Sequence, residues 1–336
     1  MTTRAEPRTR PIAAPPTIQL EPAPARREVA VVMDACCEIA PQLAAALGIV
    51  LIPRPARIDR QWLTLDPART LHATCWERPP RRVAAGGFAL GELAQAYRSL
   101  LDQGMSVLAL HQPVRIDGAV HTALAARSAL LSGRRASPGE PPRIAVYELA
   151  HSGAAFAFLA EAAARAALEG LALHHLLALL DQLQVMTEAS FLTGLYGPPA
   201  PARDPRRQSG VASLGSEQLW RISRDTGRFV CHGRGWKLAG ALFAPGGPLH
   251  GWEPTRIRSS HPGLAARLNA GRATLGLPPL EIEPAGPSLA ALFPHGCVEL
   301  VRLPDDTQIG QMIDVIRRIE RPAPAPRRPR SIGERR

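Results

Sequence analysis

Lysine is nearly absent from this chain: Lys237 is the single one, and the other basic side chains are arginine. Such a bias reads as a property of the whole coding sequence rather than a design for phosphate contact. Aromatic residues are only 4%, so Ala, Arg and Pro do much of the filling. No long apolar run is seen, because the longest apolar helix is broken by Glu161, Arg165 and Glu169, and no apolar stretch follows the N-terminal arginines. The expectation is a cytoplasmic protein, neither exported nor membrane-embedded. Five cysteines at irregular places argue against a disulfide framework. Cys36 and Cys37 are adjacent, which suits neither a redox pair nor a zinc knuckle.

Nucleotide and nucleophile motifs are missing too. No G-x-G-x-x-G follows a strand, and GRGWK has too few spacer residues to cradle phosphates. Ser213 lies in a polar loop, unlike a nucleophile elbow. His174 and His175 are adjacent and face different sides of a helix. Asp117 and His121 have the i,i+4 spacing for a metal, but two ligands do not make a site. No cofactor or metal is expected.

The formal charge of +11 dissolves once located. Residues 1–28 hold +2 and residues 317–336 hold +6, leaving +3 for the middle. Both tails are rich in Pro and Ala, a composition that cannot bury a core, and are expected to be disordered. With no basic helix or stacking platform beside them, nucleic acid is not an expected partner.

What is present begins with VVMDACCEIAPQLAAALGIVLIP, Val31 to Pro53, which reads as strand, loop, helix, strand. Asp34 stands where the first strand stops, facing the crevice in which open α/β sheets bind ligands. Helical periodicity over Leu90–Gln103, a strand over Val107–His111, a helix from Asp117 to Leu131 and the strand RIAVYE continue the alternation. The expected fold is α/β: an N-terminal doubly wound parallel sheet over 29–150, then an α+β domain over 151–320. The latter opens with helices Gly153–Glu169 and Leu173–Val185, followed by an irregular Pro/Arg stretch and a hairpin turning at Asp225-Thr226-Gly227. Helices near Trp236–Phe243 and Pro262–Leu275, strands near Leu280–Glu283 and Cys297–Leu303, and a helix over Ile309–Arg318 complete it. Residues 321–336 form the C-terminal tail.

This order of segments resembles the DegV family, two-domain bacterial proteins that bind a fatty acid between their domains. The likeness covers about residues 29–320. The family's Asp-Ser-Thr frame reads Asp34-Ala35-Cys36 here, with Pro41, Gly48-Ile49 and Pro53 in place. Its Thr-Ser-x-Pro, where a hydroxyl bonds the fatty-acid carboxylate, reads ATCWERPP, so Thr74 is kept and Cys75, a weaker donor, replaces serine. Its serine-rich helix start reads PVRIDGAVHTA, placing Asp117 at a serine and retaining Gly118. Its His-Thr-Gly-Pro-Gly falls on Leu292-Phe293 and keeps only Gly296, with His295 three residues away.

An ionised Asp117 facing a ligand carboxylate would be repulsive in a low-dielectric pocket. Alternatively Asp117 caps the helix that follows. The resemblance implies a fatty acid or other acyl lipid in an interdomain tunnel, with the head group near Asp34, Thr74, Cys75, Asp117, Gly118, His121 and His295. It also implies a non-enzyme that presents its ligand to a separate fatty acid kinase subunit. The alternative is a chain that keeps the fold, has lost the ligand and acts as an interaction or regulatory protein. A tunnel filled by Trp76, Phe88 or Phe293 would favour loss. A hydrolase or transferase would need Asp117, His121 and Cys75 to converge.

Overall fold

The computed structural model describes residues 28–35, 38–58, 61–65, 83–85, 87–132, 143–194, 216–235, 237–286, 289, 292–293 and 296–319. The expectations for both tails and for the irregular Pro/Arg stretch from Tyr196 lie outside them.

The N-terminal layer is a four-stranded parallel sheet of order β2-β1-β6-β7: β1 Val29–Asp34, β2 Val50–Ile52, β6 Ser106–His111 and β7 Ile144–Glu148. All six residues of β1 are buried, as a parallel strand covered on both faces requires. Its side chains divide by parity. Val29, Val31 and Met33 pack under helices α4 (Gly153–Leu168), α5 (Leu173–Met186) and α8 (Asp306–Ile319), with the short α1 (Pro41–Ala46) on the same side. Ala30 and Val32 face α2 (Leu90–Asp102) and α3 (Ala119–Leu131). β2 lies on one side of β1 and β6 on the other, so the topological switch point falls between β1 and β6.

A six-stranded sheet of order β10-β9-β8-β13-β11-β12 forms the second layer: β8 Glu188–Thr193, β9 Glu217–Ile222, β10 Phe229–Gly235, β11 Arg256–Ser259, β12 Glu283–Pro284 and β13 Cys297–Arg302. Pairing is antiparallel except between β11 and β12. The β9–β10 hairpin turns as its sequence predicts, with Gly227 at φ 61. One face, with Leu192, Val298 and Leu300, is covered by α6 (Leu238–Ala241) and α7 (Pro262–Thr274). His261 caps α7 by accepting from the Leu264 amide at 3.1 Å. The other face, with Phe191, Cys297 and Val301, packs on Ala154 and Ala155 of α4.

The wall between the sheets is thus α4, GAAFAFLAEAAARAAL. A helix that is apolar over most of its circumference must be covered over most of it; all of α4 but Arg165, Leu168 and the half-buried Phe158 is buried, and its alanines let both sheets approach. Helices α4, α5 and α8, although they follow residue 150, pack on the first sheet. A third sheet, β4-β3-β5 (Gln61–Leu65, Arg54–Ile58, Val83–Ala85), extends from β2 and has no counterpart in the sequence reading.

Gly153 opens α4 at φ +63, and a Cβ there would lie 2.5 Å from both carboxylate oxygens of Glu299. Left-handed backbone costs a residue with Cβ ~1–2 kcal/mol, and overpacking adds ~1–3 kcal/mol. Gly153→Ala is therefore expected to lower the urea midpoint strongly, and an unchanged midpoint would contradict this account of the α4 start.

Candidate functional site

At the carboxyl edge of the parallel sheet three charged side chains meet. Asp34 ends β1, and Arg54 opens β3 two residues beyond Ile52, which pairs with Asp34 across the β1–β2 ladder. Asp117 precedes α3. Arg54 Nη1 reaches Asp34 Oδ2 at 3.3 Å, while Nη2 donates to Asp117 Oδ1 at 2.8 Å and Nη1 also bonds Asp117 Oδ2. Arg54 and Asp34 are 4% exposed and Asp117 14%, so the fork-shaped Arg–Asp117 pair is nearly dry. Arg54 also lies over the Phe88 ring, 5.1 Å from its centre. The Oδ1 of Asp117 accepts the Ala119 amide at 3.0 Å. One side chain therefore tethers the helix start and holds the arginine.

A fourth residue completes the group. The β1–β6 register pairs Val32 with Ala109. Asp34 and His111, two residues further on, end neighbouring strands on the same face, either side of the switch point. His111 is 3% exposed, and neither ring nitrogen has a hydrogen-bond partner among the described residues. Burial pushes its pKa down to about 4; Asp117 opposes that shift and Arg54 adds to it. At neutral pH the imidazole is uncharged, with one donor and one acceptor nitrogen.

The loop that carries Asp117 also borders the second domain. Ile116 packs against the apolar face of the second sheet, where Phe191 stacks on Phe293 at 5.1 Å and Phe229 meets both edge-on at 5.6 and 5.5 Å. Beside this lies a second cluster of acids around one arginine. Glu38, in the loop after β1, pairs with Arg258 at 3.3 Å and accepts the Leu289 amide at 3.1 Å. Glu299 of β13 accepts the Ala154 amide at 2.8 and 2.9 Å at the start of α4. Burial, with the nearby Glu38, raises Glu299 to about 8 against the helix amides and Arg258.

Of the residues singled out from sequence, Asp34 and Asp117 converge. Gly118 and His121 are exposed, and no described contact brings either into the cluster. Thr74, Cys75, His295 and Trp76 lie outside the described residues. Phe88 and Phe293 are buried, the first under Arg54 and the second in the ring cluster. Arg54 and His111 went unnoticed in the sequence. His111 had the same signal as Asp34, a polar residue closing an apolar parallel strand, whereas Arg54 is one arginine among many. Elsewhere a groove of about 750 Å³ runs between α4 and α8, but its Glu161–Arg256 and Glu169–Arg317 pairs already satisfy each other.

The sequence model of an uncharacterised protein of the DegV family matches residues 28–194, and by this match the chain belongs to the DegV family. Among curated proteins, none matches. The fold is shared with solved structures at low identity. A fatty-acid-binding DegV family protein from Thermus thermophilus is 18% identical, with TM-score 0.60 over 82% of this chain and 100% of that one. DegV from Bacillus subtilis, a fatty acid binding protein, is 15% identical, with TM-score 0.58 over 83% and 100%. A DegV family protein from Eubacterium eligens loaded with heptadecanoic acid is 15% identical, with TM-score 0.57 over 82% and 100%.

Two substitutions test the clusters. Arg54→Met removes the guanidinium that bonds both Asp34 and Asp117 and is expected to cost ~3–5 kcal/mol, the usual cost of breaking a buried pair. Chemical denaturation measures it, and a loss near zero would show that solvent already screens the site. For Glu299, the folded pKa lies above the ordinary 4.5. Between about 4.5 and about 8 the folded chain holds a proton that the unfolded chain has released, so stability present at low pH is lost as pH rises. Glu299→Gln should match the parent in acid and exceed it at pH 8. His111 and His151, both lowered to about 4, slope the other way but cancel in the difference between variants. A parent that stays the more stable at pH 8 would mean the carboxylate is ionised in place.

Proposed function

We propose that this chain is a cytoplasmic carrier, not a catalyst, which binds a fatty acid or related apolar acyl ligand between its two domains. The observation that supports this most is the buried Asp34–Arg54–Asp117–His111 cluster at the switch point, joined through Ile116 to the apolar layer of the second sheet. A polar group of that kind, next to apolar surface, suits a ligand with one polar end and a long apolar remainder. Burial of the chain would supply about 0.8 kcal/mol per methylene. The fatty acids named for its structural relatives agree with this reading. No helix among the described residues is long and apolar enough to cross a membrane. The head group would sit near Asp34 and Asp117, with Thr74, Cys75 and His295 as further contacts and Gly118 and His121 at the rim. Presentation of the bound acyl group to a separate kinase belongs to the same proposal, as does the division into an α/β domain over 29–150 and an α+β domain over 151–320.

A second reading is favoured by one feature. The three-ring cluster of Phe191, Phe229 and Phe293 fills part of the interdomain layer, as in a fold that has given up its ligand and acts as an interaction protein. Mass spectrometry of the organic extract from natively purified protein separates the two. An acyl lipid near one per chain is expected. A protein that is empty and ignores added acyl lipids would sink the carrier reading and leave the interaction role.

A further inference from the structure

The groove of about 750 Å³ between α4 and α8 takes no part in the acyl-binding reading. Independently of that reading, we propose that it holds this chain's own arginine-rich C-terminal segment, residues 320–336, folded back along α8. The floor is apolar, with Phe158 and Ala162 of α4, Leu303 just after β13, and Ile309 and Ile313 of α8. The rim is acidic. Five acids and three arginines line the groove, and the Glu161–Arg256 and Glu169–Arg317 pairs take two of each. Asp305, Asp306 and Asp314 are left against Arg165, a surplus of two negative charges among the described residues. Asp305 caps α8 by accepting the Gln308 amide at 2.8 Å, and Asp306 in the first turn suits the helix dipole. Asp314, two turns further on, has no such role. Both Asp306 and Asp314 are exposed, with no hydrogen bond or ion pair among the described residues. Gly310 also lines the groove. A glycine inside a helix weakens it, and a Cβ at Gly310 would meet nothing within 4 Å, so the described packing does not call for it.

The segment that follows α8 matches this surface in charge, composition and length. Residues 320–336, ERPAPAPRRPRSIGERR, carry six arginines and two glutamates, a net +4, against +2 for residues 1–28. Residues 322–326 alternate Pro and Ala without a charge, and Arg327, Arg328 and Arg330 come next. The 14 residues of α8 span about 21 Å, and six extended residues from Arg321 to Arg327 span about 20 Å. After a reversal at residues 320 and 321, Arg321 stands near Asp314, the Pro/Ala stretch covers Ile313, Gly310 and Ile309, and the later arginines meet Asp305 and Asp306. Prolines suit an apolar floor because they have no N–H to leave unmatched and little freedom to lose. Exposed ion pairs are individually weak. A short tether raises the effective concentration to about millimolar, so weak pairs suffice within one chain and a second copy competes poorly.

The test places the photo-crosslinking residue p-benzoylphenylalanine at position 325 of the full-length chain and maps the linked peptides by mass spectrometry. Links within one chain to residues 158–162 or 303–313 are expected. Asp306→Asn combined with Asp314→Asn should lower their yield about five-fold, and raising the salt to about 0.5 M should lower it likewise. Gly310→Leu should block the groove and abolish the links, with circular dichroism unchanged in every variant. Asp314→Arg should lower the yield, and Arg321→Asp in the same chain should restore it. Links scattered over the surface of the folded protein, or none, would overturn the proposal. Links between two chains, seen as a doubled mass on a denaturing gel, would give the groove to a second copy and overturn it as well. A yield indifferent to salt and to both aspartates would remove the match of charge on which it rests.

Discussion

Two carboxylates, at least one of them buried, converge on one guanidinium at Arg54 and again at Arg258, and the junction of the domains is arranged around that constraint. A charge removed from water must find a partner or the fold loses stability. Arg54 meets this demand for Asp34 and Asp117 together, so the end of β1, the start of β3 and the start of α3 are held by one side chain. Arg258 does the same across domains, reaching Glu38 in the loop after β1 while also pairing with Glu283 at 3.2 Å. Glu299, held protonated up to about pH 8, is met by the amide end of α4, whose N–H groups bond its oxygens. Gly153 is what permits that approach: without a Cβ, the carboxylate can sit against the first turn.

Much of the fold was legible because its signals are local. The continuous apolar run of β1, the period of α2 and α5, and the Asp-Thr-Gly turn of the hairpin each follow from a few adjacent residues. Observed bounds differ from expected ones by a residue or two at most of these elements. The third sheet was not legible. β3 begins Arg-Pro-Ala-Arg, and neither alternation nor composition marks it as a strand; its pairing with β4 and β5 is tertiary information. Nor was β8 visible, since EASFLT follows directly on a helix with one residue between them. The expected helix near Trp236–Phe243 is Leu238–Ala241, and the strand expected near Leu280–Glu283 lies at Glu283–Pro284.

The site divides in the same way. Asp34 is marked by position as well as by resemblance, since a strand-terminal acid at the first strand of an α/β layer faces the crevice. Asp117 was found by resemblance, and its two readings, helix tether and pocket charge, are satisfied together, because its oxygens face both the Ala119 amide and Arg54. Arg54 could not be found by composition, because arginine is the ordinary base of this chain. Its burial, at 4%, is matched among the described arginines by Arg272 at 2%, and what separates Arg54 is its place against two strand- and helix-terminal acids. The α/β and α+β portions also interleave more than chain order suggests. α4, α5 and α8 follow the first domain in sequence and yet cover its sheet, so the alanine-rich α4 is shared by both layers.

The ring cluster and the polar cluster bear on each other. If the layer between the sheets served only as core, three phenylalanines with Leu289 and Leu292 would fill it adequately, and nothing would require a polar residue at its border. His111 is then hard to explain. It is buried, neutral and without partner among the described residues, at a strand position where an apolar side chain would cost nothing. A core that needed only stability would be better served by leucine there, because an unmatched imidazole carries a desolvation cost with no return. Its place at the switch point beside Arg54 is where such a cost has a use, since polar atoms left open in the protein alone are matched when a ligand arrives. The rings then bound one side of the site, and the histidine that the packing leaves unsatisfied is what points to a ligand.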